Sequence, residues 1–339
     1  MTRTGKACLS YLFSCAQRCC GVICLERLKT ILFCLLLAAF AAALICFPGE
    51  SAEAARQGLR LCFQSVLPSL FPFFVLSSLF TASSAADALA HMLSPVMRPL
   101  FGLSGAGASA LALGLVGGYP VGARTAAELR RTGALSPAEA EHLLGFCNNA
   151  GPGCILGICG GTVFASPRAG VYLCLVHAAA AMLTGIVLRR IAPAASAVRD
   201  SRAASSKAPR SSRRSVGAFP AVVRDAFAAV WSVCGFVVLF AVLLRLITLL
   251  LPDGAAAQWW YPLLLGGVEL TNGVAALPAD RRGFVLCAAL LGWGGLSVHA
   301  QTLSVLEDTG LSARRYFLGK TLQAALSAPL ALLAARWVF

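Results

Sequence analysis

Apolar positions run through this chain in long unbroken stretches, without the alternation of a half-buried strand or the three-and-four spacing of an amphipathic helix. Residues 30–47, 62–81, 171–187, 218–251, 284–300 and 316–339 approach or exceed the roughly 20 residues a helix needs to cross a hydrocarbon core. Shorter apolar runs lie near 101–118 and 143–165. The pattern predicts an all-α polytopic membrane protein of about eight membrane helices, with re-entrant or broken helices besides, arranged as two related repeats. The first stretch is read as a retained helix, because no small-residue cleavage site follows Phe47-Pro48-Gly49.

Polar residues interrupt these stretches at few places. Gly117-Gly118-Tyr119-Pro120-Val121-Gly122 breaks one run, and Asn148-Asn149-Ala150-Gly151-Pro152-Gly153 breaks another. In the second half Glu269 follows Gly266-Gly267, and Gly294-Gly295-Leu296-Ser297-Val298-His299-Ala300-Gln301 interrupts a further run. One offset of 149 residues relates Gly118 to Gly267 and Asn148 to Ser297. Two polar breaks at one spacing are the mark of a duplicated transporter half.

Between the halves, 193–216 is rich in Ser, Ala and Arg and lacks the apolar residues to bury a core. The organisation expected is a basic, Cys-rich segment over 1–29, a first membrane repeat over 30–192, a flexible linker over 193–216 and a second repeat over 217–339. Composition agrees. Hydrophobic residues make up 58% and charged ones 12%, against roughly 25% charged in a soluble domain. The net charge of +14 suggests nucleic acid until it is placed. It gathers before the first helix and in the linker, where it reads as the positive-inside signal and puts both segments in the cytoplasm. Of fourteen cysteines, the N-terminal Cys8, Cys15, Cys19, Cys20 and Cys24 have neither paired spacing nor a neighbouring His, so no metal site is expected.

With both basic segments on one side, an even number of crossings must separate them, yet five apolar runs lie between. One must turn back, and the runs holding the Gly-rich and Asn-Asn motifs are the candidates. After them, Ala123 to Arg131 has helix-forming composition and ends at Gly133, and Ser136-Pro137-Ala138-Glu139 reads as a capping box opening a new helix.

In lipid every backbone polar group needs an internal partner, so such breaks belong against protein or a water-filled cavity. Their free N–H groups suit an anion and their carbonyls and Asn side chains a small cation or polar ring. An intramembrane carboxylate such as Glu269 costs about 2.5–3.5 kcal/mol, which predicts a partner, His299 or Arg124; the alternative is a helix end stabilised by a helix N-terminus. Ser297, His299 and Gln301 recur at every second residue, which favours an unwound or extended stretch. His177 and Cys147 read as structural. Arg124 and Glu128 have the i, i+4 spacing of a surface pair, and Arg124 also follows the first break closely enough to meet an anion. No P-loop, HExxH or GxSxG is present, and no enzyme is expected.

At these motifs, and at Pro68-Ser69-Leu70-Phe71-Pro72-Phe73, the sequence resembles the YlbJ-type sporulation integral membrane proteins, whose wider group carries the gate, or nucleoside-recognition, domain. The matching stretches include Gly117 to Arg124, Phe146 to Pro152, Glu269 to Gly273 and Gly294 to Gln301. The resemblance covers roughly 30–339; the Cys-rich N-terminal segment and the long basic linker depart from it. It implies a role in endospore formation, moving dipicolinate from the mother cell toward the forespore. The gate domain alone, shared with concentrative nucleoside transporters and ferrous-iron transporters, would imply nucleosides. The leading expectation is a transporter in the cell membrane, and more narrowly in the outer forespore membrane. Its substrate-binding residues are expected to be Gly118, Tyr119, Pro120, Gly122, Arg124, Asn148, Asn149, Glu269, Thr271, Asn272, Ser297, His299 and Gln301. Glu269 and His299 would carry a coupling proton or hold the helices in register. No cofactor is expected beyond a coupling ion, H+ or Na+. The partners are a small solute and the lipid bilayer, no nucleic acid, and a homo-oligomer is compatible. A non-transporting subunit of a sporulation membrane complex is the third reading.

Overall fold

The computed structural model describes residues 27–28, 30–191 and 219–339. The N-terminal cysteines and the linker 193–216 lie outside the described residues. Among the described residues every regular element is helical: α1 (Thr30–Cys46), α2 (Pro48–Leu61), α3 (Leu67–Thr81), α4 (Ser84–Val96), α5 (Ala108–Gly117), α6 (Val121–Arg131), α7 (Pro137–Cys147), a π-helical segment (Gly153–Val163), α8 (Pro167–Ile191), α9 (Phe219–Leu249), α10 (Tyr261–Val268), α11 (Leu270–Ala275), α12 (Arg281–Trp293), α13 (Gly295–Leu306) and α14 (Arg314–Val338). The described residues divide into two compact units, those up to Glu53 and those from Ala54 onward. The helices from α3 onward all belong to the second.

This is a polytopic all-α membrane protein. Four helices, α8, α9, the α12–α13 pair and α14, are long and apolar enough to cross a membrane, or six if the bent pairs α1–α2 and α3–α4 each count as one span. Large apolar side chains such as Leu175, Trp231, Leu333 and Trp337 stay about half exposed or more, the outward face that lipid covers.

The run that turns back is the Gly-rich one. Gly114 and Gly122 lie against each other, and both press on the carbonyl of Cys147, so α5 and α6 form a hairpin with its tip at Gly118-Tyr119-Pro120. Gly118 has φ +80, a conformation glycine reaches freely. A Cβ there would also stand 2.9 Å from the amide nitrogen of Gly151. The tip of this hairpin therefore rests directly on the Asn148–Pro152 break. The second half repeats the arrangement. Gly273 lies against Gly266, so α10 and α11 form a hairpin with its tip at Glu269. Gly295, at φ +81, sits 3.0 Å in Cβ terms from the carbonyl oxygen of Gly266 and 3.1 Å from the nitrogen of Leu270. The helices after the two tips begin at Val121 and Leu270, again 149 residues apart.

The other two breaks interrupt helices that continue onward. Gly145 meets Leu188 and Gly160 meets Gly170, so α7 and the π-helical segment run antiparallel along the whole of α8. Likewise α12 and α13 run along α14: Phe284 meets Phe339, and His299 meets Tyr316. Finally, α8 and α14 are antiparallel to each other. The Tyr172 and Trp337 rings stack at one end, and Leu188 and Arg315 converge on Gly145 at the other.

Local chemistry accounts for the hairpin's exit. Gly133 closes α6 at φ +75. Ser136 and Glu139 then form the expected capping box, and Pro137 opens α7. The second carboxylate oxygen of Glu139 accepts from the Ser104 N–H at 3.0 Å, tying the approach to α5 to the start of α7.

Close helix approach rests on small residues, as is usual where lipid offers no hydrophobic drive between helices. A Cβ on Gly319 of α14 would collide with the Gly145 carbonyl of α7, whereas one on Gly235 of α9 meets nothing. The same substitution should therefore have opposite effects. Gly319→Ala is expected to destabilise by about 1–3 kcal/mol through overpacking, and Gly235→Ala to stabilise by up to ~1 kcal/mol through helix propensity. Thermal unfolding of the detergent-solubilised protein measures both.

Candidate functional site

A broken helix leaves carbonyls and amides that its own turns cannot serve. In this protein, side chains from neighbouring helices serve them, and those side chains define the site. The carbonyl of Asn148 would normally accept from residue 152, but Pro152 has no N–H; the Nζ of Lys320 donates to it instead at 3.0 Å. The Ala150 N–H donates to Nε2 of His177 at 3.0 Å. Its helical acceptor, the carbonyl of Phe146, is occupied by the side-chain amide of Asn149. At the fourth break, the Leu291 carbonyl accepts from the hydroxyl of Tyr119 at 2.6 Å.

Lys320 is the centre of this arrangement and is 0% exposed. Its ammonium donates to the Asn148 carbonyl, to Oε1 of Gln323 at 2.8 Å and to the Tyr119 hydroxyl at 3.4 Å, and it lies 5.1 Å from the Tyr119 ring centre. All of its hydrogens are engaged, yet none of these partners carries negative charge. Gln323 donates in turn to Oδ1 of Asn149 at 2.8 Å. Nδ2 of Asn148 donates to the hydroxyl of Thr302 at 2.9 Å, which also accepts from the Tyr316 hydroxyl. The Oδ1 of Asn148 is buried and has no hydrogen-bond partner. Tyr316 bonds Nδ1 of His299 at 2.7 Å, and His299 sits against Trp293 and Phe317.

These contacts sort the sequence expectations. Gly118, Tyr119 and Pro120 form the first tip, of which Tyr119 bonds Lys320; Asn148 and Asn149 form the second break, and both join the Lys320 cluster. Gly122 contributes by admitting the Cys147 carbonyl. His299 joins through Tyr316. Ser297 and Gln301 are buried and bond to each other, one helical turn apart. The expected unwound stretch over 297–301 is therefore corrected: it is helical, within α13, because the break falls earlier, at Gly294 and Gly295. Glu269 is corrected as well. Its carboxylate takes neither His299 nor Arg124, but caps α11, accepting from the N–H groups of Thr271 and Asn272 and the amide of Asn272. That is the helix-end alternative, and Thr271 and Asn272 act in it as donors. Arg124 lies with its guanidinium 4.7 Å over the ring of Phe74, on the α3 side of α6. His177, expected to be structural, accepts the Ala150 N–H and so supports the Asn148 break.

Lys320, Gln323, Tyr316 and Thr302 are absent from the sequence expectations. A signal for three of them existed. Tyr316, Lys320, Gln323 and Ser327 are spaced as one face of a helix, a polar stripe within an apolar span.

Tyr119→Phe should leave the Leu291 carbonyl without its donor in a buried setting. A loss of about 1–3 kcal/mol is expected, read as a lower midpoint in thermal unfolding.

Residues 63–187 match the family model of the Gate domain, described as nucleoside recognition; this stretch holds the first hairpin, the Asn-Asn break and α8. No solved structure matches the chain significantly. Along most of its length the chain is similar to the sporulation integral membrane protein YlbJ of Bacillus subtilis (strain 168), at 29% identity over 331 residues, 88% of this chain and 81% of that protein.

Proposed function

We propose that this protein is a multi-pass transporter for a small planar carboxylate, dipicolinate above all, with its binding site where the four helix breaks meet. The observation that carries the reading is the full burial of Lys320 with no acidic residue among its hydrogen-bond partners. A buried ion without a counter-charge is strongly unfavourable, by several kcal/mol even after relaxation. A carboxylate reaching Lys320 would relieve that, while the amides of Asn148 and Asn149 supply further donors once turned toward it. A neutral nucleoside, the ligand class in the Gate description, would leave the charge as it is.

The arrangement of the halves supports transport over a purely structural role. Each half has a hairpin, then a broken helix, then a long helix. The antiparallel course of α8 and α14 makes the halves opposite in sense, as in inverted repeats that rock about a fixed site. Several polar bonds at the site join one half to the other, among them Tyr119 to Leu291, Asn148 to Thr302, Lys320 to Asn148 and Gln323 to Asn149. The cluster is closed, with Asn148, Asn149, Lys320 and Gln323 all 0% exposed, which fits an occluded conformation. Arg189 and Arg190 end α8 and Arg314 and Arg315 begin α14, at one end of the bundle. The positive-inside rule then favours that end, with the linker, on the cytoplasmic side. The similarity to a sporulation membrane protein supports a location in the outer forespore membrane.

Uptake of radiolabelled dipicolinate into proteoliposomes tests the reading. Wild-type protein should accumulate it above empty liposomes, with little competition from uridine. Lys320→Met should reduce uptake about ten-fold or more, equivalent to ~1.4 kcal/mol or more of lost binding. Uptake at the level of empty liposomes would support the structural-subunit reading, and stronger competition by uridine than by unlabelled dipicolinate would support a nucleoside.

A further inference from the structure

The orientations of the Gln323 and Asn149 amides beside Lys320 are fixed by a donor at one end and an obligate acceptor at the other. An ammonium can only donate, so the atom of Gln323 facing it is the oxygen. The amide nitrogen of Gln323 must then face Asn149 and meet an oxygen there. Asn149 consequently turns its own nitrogen to the carbonyl of Phe146, which can only accept. This chain of neutral dipoles holds the ammonium in place from α14 to the Asn148 break without cancelling its charge. Glutamate has nearly the same shape as glutamine and would put a carboxylate 2.8 Å from that ammonium. The other partners of Lys320, the Tyr119 hydroxyl and the Asn148 backbone carbonyl, are neutral, and Glu269 is occupied capping α11.

We infer that Gln323 is a specificity-determining residue: by being an amide and not a carboxylate, it positions Lys320 while reserving its charge for an anionic solute. The inference rests on the transport reading above and sharpens it. A protein of this architecture with Glu at this position would satisfy its own cation and would have no preference for carboxylates.

Three purified variants in detergent decide it, with thermal unfolding and equilibrium binding of dipicolinate, picolinate and uridine as readouts. Gln323→Glu is expected to unfold at or above the wild-type temperature and to bind the two carboxylates about ten-fold more weakly or worse, with uridine unaffected. Gln323→Leu removes the same hydrogen bonds without adding charge; it should unfold earlier yet keep carboxylate binding within about three-fold. Folded Gln323→Glu that binds carboxylates like wild type overturns the inference, as does Gln323→Leu losing them as completely as Gln323→Glu. Should Gln323→Glu fail to fold, Asn149→Asp places the charge one amide further away at unchanged volume. It must weaken carboxylate binding in the same sense, and unchanged binding overturns the inference. Wild-type protein that binds none of the carboxylates overturns the transport reading separately. The charge assignment is then judged by unfolding alone, and Gln323→Glu that unfolds earlier than wild type overturns it.

Discussion

A helix interrupted inside a bilayer exposes carbonyls and amides that lipid cannot hydrogen-bond, and each must find a partner within the protein. Most of what is distinctive in this molecule follows from that requirement. It explains why His177 stands opposite Ala150, why Tyr119 reaches across to Leu291, and why Glu269 turns back onto Thr271 and Asn272. It also explains the most expensive choice, a lysine in the interior of α14. Pro152 removes the one amide that could have served the Asn148 carbonyl, and an ammonium takes its place.

Serving one half's breaks with the other half's side chains has a mechanical consequence. The polar bonds at the centre are the joints between halves, so whatever occupies the site must exchange partners with those joints. Glycine makes this geometry accessible. Gly118 rests on Gly151, and Gly145 admits Gly319; the second contact brings Lys320 within reach of Asn148. Backbone approaching backbone leaves little room for adjustment, because packed interiors respond to added atoms by shifting as units rather than deforming smoothly. A site assembled from four crossing breaks can thus change between discrete arrangements when a solute replaces an internal partner.

Charge supplies the chemical direction. The cluster is rich in donors, and its lone cation is held by oxygen atoms of neutral residues. On the transport reading proposed above, such an environment would discriminate between an anion and a neutral ring of similar size more sharply than shape could, since charge complementarity is decisive where water is excluded. The aromatic enclosure of His299 by Trp293, Tyr316 and Phe317 borders the cluster through the Tyr316 hydroxyl and limits how far the neighbouring side chains can move.

The sequence by itself determined the solvent the protein lives in, the helical class and the places where helices fail. These depend on composition and on local rules: long apolar runs, Gly-Pro pairs and a capping box act within a few residues of themselves. The capping box at Ser136 and the stop at Gly133 were readable for that reason. Only the tertiary structure decided which run turns back and which way Arg124 points. It also decided that Glu269 keeps its carboxylate for its own helix end, and that Ser297 to Gln301 is helical. Arg124 meets the ring of Phe74 on another helix, the Gly-rich hairpin closes on the Cys147 carbonyl, and the other two depend on the one-residue placement of a break. Lys320 shows the boundary between the two. Its polar stripe with Tyr316, Gln323 and Ser327 is written in the sequence. That the stripe faces the carbonyl orphaned by Pro152, and not another helix or a channel of water, is a fact of packing alone.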